Sequence, residues 1–285
     1  NKILKLNTDG ASLTANLFDP EQIVSETKVG GSMGDFYGYV VDGGVFATAS
    51  DFENHALPAT NDGETLPITP NSGGVWYGDL KFKDLNGDGI ITEKDRTYLG
   101  SPIPDFQLGL GNTFRYKGIN LNIFFSASIG NKVVNEMRIK GEYPSTQYGF
   151  LKALKNYAVL ALKDPTGSDS DVNNVYVTNP NTTIVGLRNT NGGNQNQRFS
   201  DKYVEDGSFI RCKNITLGYT FPKELLGKIH LENLRVYANV TNAFLITKYT
   251  GMDPEVGSWN PLRAGIDSGF YPQARTFTLG LNIGL

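Results

Sequence analysis

Five stretches of this chain alternate apolar residues with small polar ones, and that alternation limits the fold more than any other feature. At the C-terminus Phe277, Leu279, Leu281, Ile283 and Leu285 alternate with Thr276, Thr278, Gly280, Asn282 and Gly284. Upstream, Leu234, Val236, Ala238 and Val240 alternate with Arg235, Tyr237, Asn239 and Thr241, and Ile215, Leu217, Tyr219 and Phe221 alternate with Thr216, Gly218 and Thr220. Phe106, Leu108, Leu110, Phe114 and Tyr116 share one parity; after Lys117-Gly118, Ile119, Leu121, Ile123, Phe125 and Ala127 share another. A period of two places each apolar set on one face of a strand, and the Lys-Gly pair predicts a tight hairpin between the last two.

Several of these runs reach the ~9–11 residues that cross a bilayer in a tilted barrel, against ~5–6 for an ordinary soluble strand. Their second face is mostly Gly, Ser, Thr and Asn, where a soluble sheet would carry many Lys and Glu. An antiparallel transmembrane β-barrel segment is therefore expected, in an all-β chain; a large soluble β-sandwich is the alternative. Connections alternate in length: Lys117-Gly118 is short and 222–233 modest, whereas 131–202 and 249–272 are long. That asymmetry suits a barrel with short periplasmic turns and long extracellular loops. Phe114, Tyr116, Tyr219 and Phe221 lie near the short-turn ends, where an interfacial aromatic girdle is expected, ordinary strand-end packing being the alternative.

Bulk composition narrows the partners. In 285 residues, 26 Lys and Arg face 29 Asp and Glu, so no basic excess exists to attract nucleic acid. No apolar run approaches the ~20 residues of a spanning helix. The opening "NKILKLNTDG" has no signal-peptide pattern and reads as mid-element, so a fragment is expected. The single Cys212, with His55 and His230, builds neither a disulfide framework nor a zinc cluster.

Within 131–202, Leu151, Leu154, Ala158 and Ala161 predict a short surface helix over 150–163, stopped by Pro165. The Asn- and Gly-rich stretch 179–197 predicts an exposed, solvated loop, although amides also suit sugar hydroxyls.

Residues 81–96, "KFKDLNGDGIITEKDR", hold the one constellation that suggests a cation. Asp84, Asn86 and Asp88 stand at positions one, three and five of a twelve-residue loop, with Gly89 at six. Ile90 would offer its carbonyl, Thr92 a direct or water-mediated contact, and Asp95 the last carboxylate. A structural Ca2+ is expected, weakened because Asp95 replaces the usual bidentate Glu, a plain Asx-rich turn being the alternative. Extended residues before the loop and prolines 102 and 104 after it rule out a helix-loop-helix. No nucleophile elbow, zinc-protease pattern or defensible acid/base pair occurs, and Gly109 and Gly111 lack a third glycine and a helix for dinucleotide binding. An enzyme, such as a secreted glycosidase, is not expected.

Taken together, segments 34–46, 78–121, 203–222, 234–255 and 271–285 resemble the C-terminal part of SusC/RagA-type TonB-dependent outer-membrane transporters in order and spacing. The resemblance implies that residues 1–285 are the C-terminal portion of a roughly 22-stranded barrel with a plugged lumen. It implies a Gram-negative, Bacteroidetes-like outer membrane, contact with its lipid, and energy from the TonB complex acting through a plug outside this sequence. A SusD-like surface lipoprotein would deliver glycans or oligopeptides. The loop at 81–96 would then order an extracellular loop, and 131–202 would be another. Terminal Leu285 stands where a Phe is common in barrel-insertion signals. A soluble, calcium-stabilised carbohydrate-binding β-protein remains the competing reading.

Overall fold

A computed structural model describes residues 2–7, 10–17, 22–60, 63–143, 149–188, 194–227 and 231–284. Leu285 and His230 lie outside the described residues, as do 144–148 and 189–193 of the two stretches considered above. The chain forms two compact units.

The first unit comprises residues 103–133, 206–256 and 269–285, and its framework is a single five-stranded antiparallel sheet. Its strands are β1 (Phe106–Tyr116), β2 (Ile119–Ile129), β3 (Phe209–Thr220), β4 (Asn233–Thr247) and β5 (Thr276–Gly284). All neighbours are consecutive in sequence and antiparallel. The hairpin between β1 and β2 turns at Lys117 and Gly118, with φ of 43° and 84°. Two successive left-handed residues give a type I′ turn, whose twist matches that of the strands it joins.

Register explains why the alternation matters. Phe114, Leu121, Leu217, Ala238 and Leu279 form one cross-strand row, and Asn112, Ile123, Ile215, Val240 and Phe277 the next. Apart from Asn112, every member of both rows is apolar. β3 and β4 run further than the sequence alternation indicates, because both pass through an irregularity at Lys213 and at Asn242-Ala243. Asn242 sits at φ 49° and its Nδ2 donates to the Ala274 carbonyl, so the interruption of the period has a local cause.

The second unit comprises residues 1–102, 134–205 and 257–268 and is built from short strands around two apolar clusters. One gathers Phe46, Phe52, Trp76, Tyr77, Leu80 and Phe82 among others, with Phe46 stacked on Phe52 at 4.7 Å. The other joins Leu17, Val24, Phe36, Val134, Phe199 and Ile266, which come from distant parts of the chain. The helix Ala49–Asn54 opens on a capping box: Asp51 accepts from the N–H of Thr48, and Thr48 returns the contact.

Two sequence expectations change here. The helix over 150–163 is only a 3-10 turn, Lys152–Asn156, followed by the strand Leu160–Leu162. Asn179 explains the break: its Oδ1 accepts from Val159 N–H and its Nδ2 donates to the Tyr157 carbonyl, drawing both residues into an extended path. Likewise, Asn194 and Asn196 are buried rather than solvated. Asn196 takes the Leu80 N–H at 2.8 Å and donates to Asp79, while Asn194 donates to the Leu80 carbonyl at 3.0 Å. Thus much of 131–202 is folded into this unit rather than free.

Candidate functional site

The five-stranded sheet has two chemically opposite faces. On the apolar one the side chains are open: Leu279 is 87% and Phe277 74% exposed, with Phe114, Leu108 and Ile283 in the same condition. A soluble sandwich would turn this face inward, since leaving a large side chain in water forgoes roughly 1.5–3 kcal/mol of burial. Tyr116 and Phe114 are exposed near the short turn, and Tyr219 packs edge-on against Phe221 at 4.9 Å.

The opposite face is polar and cross-linked between strands. Thr113 Oγ1 donates to Asn122 Oδ1 at 2.7 Å, Thr216 Oγ1 to Asn239 Oδ1 at 2.7 Å, and an Arg235 amino group to Asn120 Oδ1 at 3.0 Å. These bonds satisfy amides and hydroxyls within the sheet while leaving further donors and acceptors for a passing ligand.

Sequence reasoning missed a charged cluster at one end of this face. Arg211 reaches Asp253 at 2.5 Å and Glu255 at 3.2 Å, and Lys213 reaches Glu255 at 2.7 Å. Burial acts to raise the Asp253 carboxyl, but the N–H groups of Glu255 and Gln273 together with Arg211 hold it below the usual carboxylate range. Asp253 and Glu255 follow β4, so the cluster ties the start of the long connection back to β3. Its signal was visible: two cations close together in strands otherwise nearly free of charge.

The cation-like loop is self-bonded. Asp84 accepts from the N–H groups of Gly87 at 2.6 Å and Gly89 at 2.8 Å, Asn86 from Asp88 at 2.9 Å, and Asp88 from Ile90 at 3.2 Å. The Gly89 N–H is the main reason that the Asp84 carboxyl lies below its ordinary range. Asp95 turns inward, accepting from Leu85 N–H at 2.9 Å and Thr92 N–H at 2.7 Å. Thr92 Oγ1 accepts from Lys94 N–H at 3.2 Å and caps the next turn, while Ile90 opens a short strand. Asp84, Asn86, Asp88 and Asp95 thus all accept hydrogen bonds from within one loop. Among the described residues no group of three His, Cys, Asp or Glu stands ready for a metal ion. Beside it, Tyr39 donates to Glu93 at 3.0 Å; burial pushes this phenol up to about 12. The Arg198 guanidinium lies 5.1 Å over the Tyr39 ring.

An antiparallel sheet with an exposed apolar face, a polar second face and a tight turn at one end is part of the wall of a transmembrane β-barrel. Comparison with known proteins agrees. The chain is 32% identical over 296 aligned positions to TonB-dependent receptor P3 of Formosa agariphila, covering 99% of this chain and 25% of that protein. It is 33% identical over 204 positions to TonB-dependent receptor SusC of Bacteroides thetaiotaomicron, covering 71% and 17%. The RagAB peptide importer in its "closed-closed" state superposes with a TM-score of 0.65 at 20% identity, over all of this chain and 26% of that one. Its "open-open" state gives 0.59 at 18% identity. No protein-family model matches the sequence. The chain belongs to the SusC/RagA-type TonB-dependent receptors. It spans a quarter or less of the length of the curated relatives it matches.

Proposed function

We propose that this chain forms part of the barrel wall of an outer-membrane, TonB-dependent importer of glycans or oligopeptides, in a Gram-negative, Bacteroidetes-like envelope. The observation that carries the reading is the register-matched apolar face left exposed across the sheet, backed by polar side chains on its reverse. Such a wall lets lipid meet one face and a hydrophilic ligand the other. The TonB complex acts through a part of the receptor outside residues 1–285. A SusD-like surface lipoprotein captures the ligand first; similarity to SusC and to RagAB supports that partner. The chemistry on this chain is positioning and passage. Amides and hydroxyls on the polar face exchange hydrogen bonds with sugar or peptide groups without committing to either.

The test is uptake by cells carrying or lacking the full receptor, offered fluorescent oligosaccharides and a labelled peptide digest. One ligand class should lose its accumulation on deletion, on loss of the lipoprotein and on collapse of the proton-motive force. Uptake that survives that collapse contradicts the proposal.

A structural calcium ion at Asp84, Asn86, Asp88, Ile90, Thr92 and Asp95 belongs to the same reading. The donor types and their spacing support it, and the ion would order the loop rather than take part in transport. Chelation with EGTA should speed proteolysis between residues 84 and 92 in the intact receptor; an unchanged rate contradicts the ion.

A further inference from the structure

The apolar face of the five-stranded sheet is not level. On β4, Val236, Ala238 and Val240 stand between larger side chains on both sides: Tyr219, Leu217 and Ile215 on β3, and Leu281, Leu279 and Phe277 on β5. Three short side chains in succession leave a trough that follows β4 for about 14 Å, at about 3.4 Å per residue. Its end nearer the short turn is an open groove of about 450 Å³, lined by Val236, Ala238, Leu217, Tyr219, Leu279 and Ile119.

The mouth of the groove carries a charge. Gly118 lies against the Tyr219 ring, where a Cβ would come within 3.1 Å of Cε2, so the turn closes onto one wall of the groove. Beside it, Lys117 holds its ammonium 5.3 Å from the centroid of the exposed Tyr116 ring, which belongs to the apolar face. Among the described residues no carboxylate pairs with Lys117. Tyr219 and Phe221 complete the aromatic cluster at this end. A cation among such rings suits the level of lipid head groups, where phosphate can meet ammonium and amphipathic rings sit between water and hydrocarbon.

We propose that this groove binds one glycerophospholipid of the periplasmic leaflet, its phosphate at Lys117 and one acyl chain lying along Val236, Ala238 and Val240. It is a single retained molecule, distinct from the fluid lipid around the wall. Three observations select it. The short turns of such barrels lie on the periplasmic side, so the Lys117 end faces the leaflet made of phospholipid. The trough spans two strand spacings, roughly 10 Å between the backbones of β3 and β5, and between the flanking side chains it admits one chain, not a helix of about 10–12 Å diameter. The level face of a second barrel would bridge the trough, whereas a flexible chain touches its floor and both walls and recovers the dispersion contacts that a gap forfeits.

The proposal rests on the barrel reading, and one experiment separates their failures. The full receptor is released from outer membranes in a mild non-ionic detergent, examined by native mass spectrometry, and the retained lipid is identified after ejection. One phospholipid per receptor is expected. Ala238→Leu, which fills the trough, and Leu217→Ala/Leu279→Ala, which lowers its walls, should each cut occupancy at least fivefold. Lys117→Asn should cut it at least threefold and Lys117→Arg should keep more than half; Asn-Gly suits the same type I′ turn, so the hairpin survives the loss of charge. Leu108→Phe, on the same face but paired with Ala127 away from the trough, should leave occupancy unchanged. An inserted receptor that retains no phospholipid, holds it indifferently to the Ala238 or Lys117 changes, or carries lipopolysaccharide or a second receptor copy in its place overturns the phospholipid site alone. If the unaltered receptor gives no heat-modifiable, membrane-inserted form, the barrel reading fails and this proposal fails with it.

Discussion

The two units use the same apolar residues in opposite ways. In the short-stranded unit Phe36, Phe46 and Tyr77 are fully buried; in the five-stranded sheet Phe277, Leu279 and Leu281 are exposed. The difference teaches that side-chain type does not set burial here; the solvent for which each face is built does. Burial against protein removes surface from water and supports close packing, so a deletion leaves a cavity. A face built for lipid has no packed neighbour to lose, and tolerates truncation but not charge.

The sharpest way to break that contrast is to truncate one aromatic in each unit. Phe36→Ala should cost about 3–5 kcal/mol, read as a lowered denaturant midpoint in pulse proteolysis of the full receptor. Phe277→Ala should cost less than about 1 kcal/mol by the same readout, because its ring fills no cavity. Equal losses would mean that both faces are cores. Next in size is charge on the lipid face: Leu279→Arg should cost about 2–4 kcal/mol if the position lies near the midplane. Reduced heat resistance of the inserted barrel in detergent reports it, and wild-type resistance would assign the face wrongly.

A pH titration sharpens the comparison from the other side. Burial acts to raise the Asp51 carboxyl, but Lys81 at 2.7 Å and the N–H groups of Ala47 and Thr48 hold it at about 2. A depressed carboxylate contributes stability above its unfolded value of about 3.9 and loses it as pH falls towards the folded one. The cluster around Phe52 and Trp76 should therefore loosen between roughly pH 4 and 2, seen as a change in indole fluorescence that Asp51→Asn shifts or removes. In the five-stranded sheet the strands carry no carboxylate and the depressed carboxyl of Asp253 meets only the Arg211 end of β3, so amide exchange should respond to acid at that end and not at the Lys117-Gly118 end. An acid transition that runs through the whole sheet, including the Lys117-Gly118 end, would contradict this. The smallest effect belongs to the 81–96 loop. Asp88→Ala removes the acceptor of both the Ile90 N–H and the Asn86 Nδ2, in an exposed loop, and should cost about 1 kcal/mol or less. Faster local proteolysis with normal uptake is expected; complete loss of uptake with normal insertion would give the loop a larger role.

What could be read from the sequence follows the same division. A period of two survives in the residues themselves, so Phe277 to Ile283 or Phe106 to Tyr116 declare their face without a partner. The Lys117-Gly118 turn is equally local. The other unit hides its logic because its clusters join residues far apart, as Phe36 with Val134, Phe199 and Ile266. Asn179 converts an apparent helix into an extended path, and Asn194 and Asn196 are recruited by Leu80 and Asp79. No local pattern announces such pairings. The sheet numbers five strands, one for each of the five alternating stretches. In the candidate site, the Asp84 to Asp95 spacing was plain to read. The direction of the carboxylates towards the loop's own N–H groups was not, because it depends on backbone turns. Arg211 with Asp253 was missed since the partners are 42 positions apart.

The central claim is that the apolar face of the sheet meets lipid. The most direct measurement places single spin labels along 276–284 in the full receptor reconstituted in bilayers and compares accessibility to oxygen and to a water-soluble nickel chelate. Labels at 277, 279, 281 and 283 should be reached by oxygen, and those at 278, 280 and 282 should not share that signature, giving a period of two. A flat profile, or one in which 278, 280 and 282 are the oxygen-accessible set, would contradict the account.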